Sequence, residues 1–270
     1  MLDIIISQGR IGDRSAKTIE GAARAGEALA KQYGVQTLTV GDTSPPCNDD
    51  WRVSLPEASE TLAALRRSVE TSITAGRLPL LVANTCSASL ASLPVSAKHH
   101  PEAVVLWVDA HGDFNTPDTT DTGYLGGMVL AAVCGLWDSG HGSGVRPSQV
   151  ILVGARDIDL AERILLRNAG VRILSPAEAN PERVLAEIGS ADVWIHIDWD
   201  ALEPGFVPAD YEVPEGILPE QLRSIFAAIP QGRVRGVEIA EYHLPTDKQA
   251  DEAAITTIQH ILGPLFEEQV

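Results

Sequence analysis

The chain has 270 residues and 44% of them are hydrophobic, which is enough to bury one large core and is typical of a single α/β domain. Its formal net charge of −17, with no offsetting basic run, argues against binding to nucleic acid or to an anionic membrane surface. The sequence also lacks an apolar run of the ~20 residues that a membrane span requires, a secretory signal, and CxxC spacing among its three cysteines.

We therefore expect one domain, residues 1–270, in the cytoplasm. Runs rich in β-branched residues alternate along this chain with segments of helical periodicity. The predicted strands are Leu2–Ile6, Val35–Val40, Leu78–Ala83, Ala103–Val108, Gln149–Val153, Val171–Leu174, Asp192–Ile197 and Arg233–Glu238. The predicted helices include Ser15–Lys31, Ser59–Ile73, Pro219–Ala228 and Asp251–Phe266.

This alternation indicates a mainly parallel sheet with crossover helices. Eight such strands fit either a closed barrel or an open sheet with helices on both faces, and periodicity does not separate the two. In both architectures the active site lies beyond the carboxyl ends of the strands. Polar residues that directly follow a strand are therefore the candidates for a functional site.

The fourth predicted strand is followed by Asp109, His111 and Asp113, within the string DAHGDFN. In extended backbone, a spacing of two residues points all three side chains to one side. Two carboxylates and an imidazole held together are electrostatically unfavourable unless a cation lies between them. The pattern predicts a metal site.

The seventh predicted strand is followed by Asp198 and Asp200, again two residues apart. A single D-x-D at a strand end is more often a cap or a turn than a metal site, but two such motifs after separate strands favour metal binding. Four aspartates and one histidine form an oxygen-rich set that suits Mn²⁺ or Mg²⁺ better than zinc. This number of ligands predicts two ions, which can activate one shared water for attack on a trigonal carbon.

Two further strand ends carry acidic residues. Glu238 and Glu241 follow the last predicted strand, and a carboxylate is the group that pairs bidentately with a guanidinium. Asp157, Asp159 and Glu162 stand where a helix is predicted to begin after the fifth strand, and by itself this position indicates helix capping.

The strings DAHGDFNTP, HIDWDALEPGFVPA and GVEIAEYH resemble, in order and spacing, the later signature motifs of the arginase and agmatinase family. The resemblance implies an open, mostly parallel eight-stranded sheet with helices on both faces, and two Mn²⁺ per chain. It implies that Asp109 and Asp198 bridge the two ions. The metal ligands it implies are Asp109, His111, Asp113, Asp198 and Asp200.

The same resemblance assigns the substrate contacts. Glu241 is similar to the family's partner for the guanidinium, and we take Glu241 and Asp113 as the candidate catalytic residues. Asn115, Thr120 and Thr122 fall where the family binds the α-carboxylate of the substrate. Asp159 and Glu162 fall in the segment that reads its α-amino group. These positions imply a guanidino amino acid as the small-molecule substrate.

The sequence departs from the family pattern at three positions. Cys86, in LLVANTCSAS, stands where the family's first motif has a histidine that binds the first metal. We expect Cys86 to take this sixth ligand position. A thiolate is a poorer match for Mn²⁺ than an imidazole, so the alternatives are a weakly bound first metal and a Cys86 that stays protonated nearby. Gly126 replaces a histidine proposed to shuttle protons, and Tyr124 replaces an asparagine. His141 and His243 are candidate replacements for that proton donor.

With a cysteine at this position, the chain resembles one branch of the family. That branch hydrolyses N-omega-hydroxy-L-arginine to hydroxyurea and L-ornithine in D-cycloserine biosynthesis. That is the expected activity. The alternatives are an arginase or agmatinase acting on unmodified substrates, and a non-catalytic member that binds a metabolite or a metal. The chain lacks the longer C-terminal tail that some arginases use in trimers, so we expect a monomer.

Overall fold

A computed structural model describes residues 1–266 of the chain. Within these residues one sheet contains the strands β1 (Leu2–Ser7), β2 (Thr37–Val40), β3 (Leu78–Val82), β4 (Val104–Val108), β5 (Val150–Val153), β6 (Arg172–Leu174), β7 (Val193–Asp198) and β8 (Val234–Ala240). The α-helices are α1 (Ala16–Tyr33), α2 (Trp51–Glu57), α3 (Ser59–Thr74), α4 (Ser89–His99), α5 (Val129–Val133), α6 (Leu160–Ala169), α7 (Pro181–Ile188), α8 (Pro219–Ala228) and α9 (Lys248–Phe266).

The sheet has eight strands in the order β2-β1-β3-β8-β7-β4-β5-β6. Every neighbouring pair is parallel, from β1 with β2 to β5 with β6. Because β2 and β6 lie at opposite edges and do not pair, the sheet is open and the barrel alternative is excluded. The predicted open sheet with helices on both faces is confirmed, and it is parallel throughout.

Helices cover both faces because successive strand residues point to opposite sides. Ile4 and Ile6 of β1 belong to the core that α1, α7, α8 and α9 cover, whereas Ile5 belongs to the core beneath α3, α4, α5 and α6. We call these the α9 face and the α4 face. Strands buried on both faces read as continuous apolar runs, which is why the sequence pattern located them.

The termini of the helices follow local sequence signals where these exist. Ser15 caps α1 by accepting a hydrogen bond from the N–H of Lys17, and the helix ends at Gly34, whose φ of 65° is left-handed. The predicted helix Ser15–Lys31 is therefore confirmed to within two or three residues. Helix α4 was not predicted, since its buried residues surround most of its circumference and leave no apolar stripe.

Four adjacent strands of the sheet, β3, β8, β7 and β4, carry the loops that hold the predicted metal ligands and Glu241. Because all strands are parallel, these loops all leave the sheet at the carboxyl ends of the strands. Residues far apart in sequence thus converge at one place. No helix within residues 1–266 combines the length and the apolar character needed to cross a membrane.

Candidate metal centre and substrate cavity

The carboxyl ends of the central strands open into a cavity of about 280 Å³. The predicted site residues that line it are Cys86, His111, Asp113, Asn115, Thr122, Asp159, Glu162, Asp198, Asp200 and Glu241. Asp109 is 1% exposed and has a ligand atom within 4.8 Å of those of three of them, Cys86, His111 and Asp200. The structure therefore brings together side chains from the ends of β3, β4, β5, β7 and β8 around a single space.

One group of metal-type ligands consists of Asp109, His111 and Asp200. The Nδ1 atom of His111 lies 2.9 Å from Oδ2 of Asp200 and 3.4 Å from Oδ1 of Asp109. Backbone donors orient both carboxylates: Ala110 N–H donates to Asp200 over 3.0 Å, and His111 N–H donates to Asp109 over 2.7 Å. This group can hold one divalent ion.

A second group consists of Cys86, Asp198 and Glu241, whose ligand atoms lie within 4.8 Å of one another. The Cys86 sulfur is 3.1 Å from Oδ2 of Asp198, and the Cys86 N–H donates to Oε1 of Glu241 over 3.2 Å. Cys86 is 2% exposed and forms no disulfide. Cys86 therefore lies among candidate metal ligands, and its role as a ligand stays a prediction.

The pKa values of these clustered groups are shifted in the directions expected for a buried cation site without its cation. Burial, together with the charge of Asp109, raises the pKa of Asp113 well above its usual range and that of Asp200 to about 6. Burial and Asp200 likewise raise the pKa of Asp198. Burial opposes the charged form of His111, but hydrogen bonds to Asp109 and Asp200 outweigh it and raise the pKa of His111 to about 12. Without a metal ion, protons must neutralise this cluster, so a divalent cation fits it.

We expect the metal-free protein to lose stability as the pH rises from 5 to 8. Carboxyl groups with raised pKa bind more protons in the folded than in the unfolded state. Their stabilisation is complete below the ordinary Asp pKa and is lost as the pH passes the folded pKa, which is about 6 for Asp200. The melting temperature should fall by about 5 °C or more in chelator.

Saturating Mn²⁺ should largely remove this pH dependence, because the ion replaces the protons, and it should raise the melting temperature at pH 8. Calorimetry at a series of pH values, with chelator and with Mn²⁺, measures both effects. Identical curves in the two conditions would contradict metal binding at this cluster.

Two of the predicted site residues adopt left-handed backbone, which non-glycine residues rarely do. The φ angle is 49° at Asp113 and 65° at Glu241. Such a conformation costs about 1–3 kcal/mol and persists only when the surroundings enforce it. At Asp113 the carbonyl accepts the N–H of Leu130 over 2.9 Å, which fixes the loop. The strained backbone turns both side chains towards the cavity.

At the cavity mouth, Asp159 caps α6 by accepting the N–H of Glu162 over 2.8 Å, as the helix-start pattern predicted. It also accepts a hydrogen bond of 3.0 Å from Nδ2 of Asn115. Glu162 accepts the N–H of Phe114 over 2.7 Å, and burial raises its pKa to about 7. Thr120 is not among the lining residues, and its hydroxyl accepts the N–H of Gly123 over 3.1 Å.

The proposed proton donors His141 and His243 do not line the cavity. His243 pairs with Asp210 at 3.0 Å, and the His141 carbonyl accepts from Arg66. The structure instead places Tyr124 at the site, where its hydroxyl donates to Oε1 of Glu241 over 3.1 Å.

Arg14 and Tyr211 also line the cavity and were not predicted. The guanidinium of Arg14 lies 4.7 Å from the centroid of the Tyr124 ring, and its Nη2 donates to the Thr122 carbonyl over 3.3 Å. Arg14 is in the loop that follows β1, so a basic residue after a strand was the available signal. Tyr211 has left-handed backbone, with a φ of 65°, and carried no such signal.

Comparison with known proteins gives a consistent result. The arginase family model matches residues 7–263. The chain is 57% identical to an N(omega)-hydroxy-L-arginine amidinohydrolase of Streptomyces lavendulae, covering 99% of this chain and 98% of that protein. It is 27% identical to an arginase of Bacillus caldovelox over 80% of this chain and 70% of that one. The structure of Entamoeba histolytica arginase with L-ornithine aligns with a TM-score of 0.86 at 21% identity, covering 98% of this chain and 97% of that one.

Proposed function

This chain belongs to the arginase family of hydrolases, and from that premise we propose that it cleaves the guanidino group of N-omega-hydroxy-L-arginine to give hydroxyurea and L-ornithine. The observation that carries the proposal is the position of Glu241. Its buried carboxylate lines the cavity and has an oxygen within 4.8 Å of ligand atoms of Cys86 and Asp198, so it can receive a cationic guanidine next to candidate metal ligands.

We propose two Mn²⁺ ions as the cofactor. The residues that would hold them are Cys86, Asp109, His111, Asp113, Asp198 and Asp200. Bound divalent ions supply Lewis acidity and an activated water near neutral pH. The oxygen-rich donor set, and the protons that His111 and the aspartates otherwise retain, support this assignment.

The side chains of this protein would orient the substrate along the cavity. Glu241 pairs with the guanidine, and the Tyr124 hydroxyl beside it can exchange a hydrogen bond with the N-hydroxyl of the substrate. At the mouth, Asp159 and Glu162 offer carboxylates to the α-ammonium group. Arg14 also lines the cavity and donates a hydrogen bond to the carbonyl of Thr122. Its guanidinium can therefore pair with the α-carboxylate, which is expected near Thr122.

Asp113 is the proposed proton carrier. Its carboxyl group lines the cavity, where it can accept a proton from the attacking water and release it to the departing amine. The water oxygen then resides in hydroxyurea, and the bond between the guanidino carbon and the ornithine nitrogen is broken. No histidine is needed for this transfer, which is consistent with Gly126 and with the remote positions of His141 and His243.

A substrate panel tests the assignment. We expect kcat/KM for N-omega-hydroxy-L-arginine to exceed the values for L-arginine and agmatine, because the Tyr124 hydroxyl and Glu241 together can bind the hydroxylated guanidine. Urea, hydroxyurea and ornithine release are measured with the Mn²⁺-loaded protein. A clear preference for arginine or agmatine would replace the hydroxyarginine assignment by the first alternative. Tight substrate binding without turnover would indicate a non-catalytic member.

Gly126 offers a sharp test of Tyr124 placement. A Cβ atom added at Gly126 would overlap Cε1 of Tyr124, whereas one added at neighbouring Gly127 meets nothing within 4 Å. We expect Gly126→Ala to displace the Tyr124 ring and lower kcat/KM for hydroxyarginine by about 10–100-fold. Gly232→Ala is the control: an added Cβ atom there also meets nothing within 4 Å, and Gly232 lies outside the cavity, so this variant should retain wild-type kinetics. Equal activities of the two variants would argue against a role for the Tyr124 position.

We further propose that the protein acts as a monomer in the cytoplasm and supplies hydroxyurea for antibiotic biosynthesis. Its monomeric state is measurable by light scattering of the Mn²⁺-loaded protein. The 57% identity to the Streptomyces lavendulae N(omega)-hydroxy-L-arginine amidinohydrolase supports the activity that this role requires.

A further inference from the structure

A fully buried row of polar and aromatic side chains lies beneath the metal centre on the α4 face of the sheet. The strand register pairs Trp107 of β4 with His196 of β7, and His196 with Glu238 of β8. All three side chains are 0% exposed. Asp109 and Asp198 stand two residues after Trp107 and His196, so they lie on the same face, one step nearer the cavity. The row is thus the layer directly below the metal ligands.

His196 is held in one orientation within this row. Its ring stacks on Trp107 with 3.6 Å between ring centroids and 8° between planes. Its Nδ1 atom lies 3.0 Å from Oε2 of Glu238, and the Ser89 hydroxyl lies 3.1 Å from the same nitrogen. Glu238 in turn accepts hydrogen bonds from Trp194, Ser89 and Ser92. The imidazole cannot turn without breaking this network.

The other ring nitrogen, Nε2, faces the metal centre. It lies 3.3 Å from the sulfur of Cys86. This separation is within hydrogen-bond distance, and it also leaves both atoms near enough to be ligands of one ion. Cys86, Asp109 and His196 have ligand atoms within 4.8 Å of one another. This third group shares Cys86 with one of the ligand groups described above and Asp109 with the other.

We propose that Nε2 of His196 is a ligand of the first metal ion. A histidine that binds a metal usually donates its other ring N–H to a carboxylate, and Glu238 occupies that position here. His196 would thus supply from β7 the imidazole that residue 86 does not provide, with Cys86 small enough to leave room for it. The inference rests on the binuclear metal centre of the proposed function.

Sequence reasoning did not find this residue because His196 lies inside strand β7, where an apolar face is expected, and not after the strand. The competing explanation is a core histidine that hydrogen-bonds Glu238 and Cys86 without binding a metal ion. The two explanations differ in how much metal affinity is lost when Nε2 is removed, and in whether a nitrogen of His196 couples to Mn²⁺.

His196→Asn removes Nε2 but leaves an amide N–H near the position of Nδ1, so that the hydrogen bond to Glu238 can remain. Metal content and Mn²⁺ affinity of this variant are compared with those of the wild type by elemental analysis and by EPR of free Mn²⁺. We expect wild type to bind two ions, and the variant to bind one of them more weakly by a factor above the range of about 10–100-fold that loss of an outer-shell partner costs. His243→Asn, whose ring pairs with Asp210 outside the cavity, is the control and should bind both ions normally.

If His196→Asn binds both ions with wild-type affinity while its melting temperature falls, His196 is only a core residue and the inference is wrong. If wild type itself fails to bind two ions, the proposed binuclear function fails first, so the two failures are distinguishable. Pulsed EPR of the wild-type Mn²⁺ protein labelled with ¹⁵N-histidine gives a result even if the variant does not fold. Couplings to two histidine nitrogens, those of His111 and His196, support the inference, and coupling to one overturns it.

Discussion

Asp198→Asn is expected to lower kcat/KM for N-omega-hydroxy-L-arginine by at least about 10³-fold, the largest effect of any single substitution considered. Asp198 ends β7, is 5% exposed and has an oxygen 3.1 Å from the Cys86 sulfur. If it bridges two ions, the amide loses the negative charge and one of the two oxygens that serve the ions. Metal-ion catalysis contributes several kcal/mol, and each 1.36 kcal/mol corresponds to a tenfold change in rate.

Asp192→Asn is the matched control for this prediction. Asp192 lies just before the first residue of β7, at the opposite end of the same strand, and pairs with Arg235 at 2.8 Å. It should retain kcat/KM and two bound ions, whereas Asp198→Asn should lose metal in elemental analysis. Full activity of Asp198→Asn in metal-depleted buffer would rule out the binuclear scheme.

Glu241→Gln is expected to lower kcat/KM by about 30-fold to several thousand-fold, because loss of one partner of a buried charge pair costs about 2–5 kcal/mol. The amide keeps the volume of the carboxylate and can still accept from the N–H of Cys86 and the hydroxyl of Tyr124. What it loses is the charge that pairs with the guanidine. Steady-state kinetics with hydroxyarginine measures the loss.

The same substitution should not destabilise the protein. Burial and the charge of Asp13 raise the pKa of Glu241 well above its usual range, so the ionised carboxylate is unfavourable in the unliganded protein. Above the ordinary pKa of a glutamate, a neutral residue at this position should hold or raise the melting temperature of the metal-free protein. A variant that loses both activity and melting temperature would indicate misfolding instead.

Tyr124→Phe, which removes only the hydroxyl beside Glu241, should lower kcat/KM less than Glu241→Gln does.

The sequence located the strands of the sheet to within a few residues, because strands buried on both faces read as uninterrupted apolar runs. It also located the acidic residues of the site, since in a parallel sheet the residues that follow several strands must meet at one edge. Asp109, Asp198 and Glu241 could therefore be named before any coordinates, and the structure places all three around one cavity or at its floor.

Other features depend on contacts between strands and loops that no local pattern records. Periodicity could not decide between a barrel and an open sheet, because that choice depends on whether the edge strands pair. Packing also sets the paths of the loops. These paths leave His141 and His243 outside the cavity and bring Arg14 to its mouth.

What the sequence determined by itself was the set of strands and the charged groups at their ends, because each depends on neighbours along the chain. What only the tertiary structure decided was which side chains stand side by side across strands. Strand register places the imidazole of His196 between Trp107 and Glu238 and below Cys86. Register is fixed by the packing of the whole sheet, so it is absent from any single segment of the sequence.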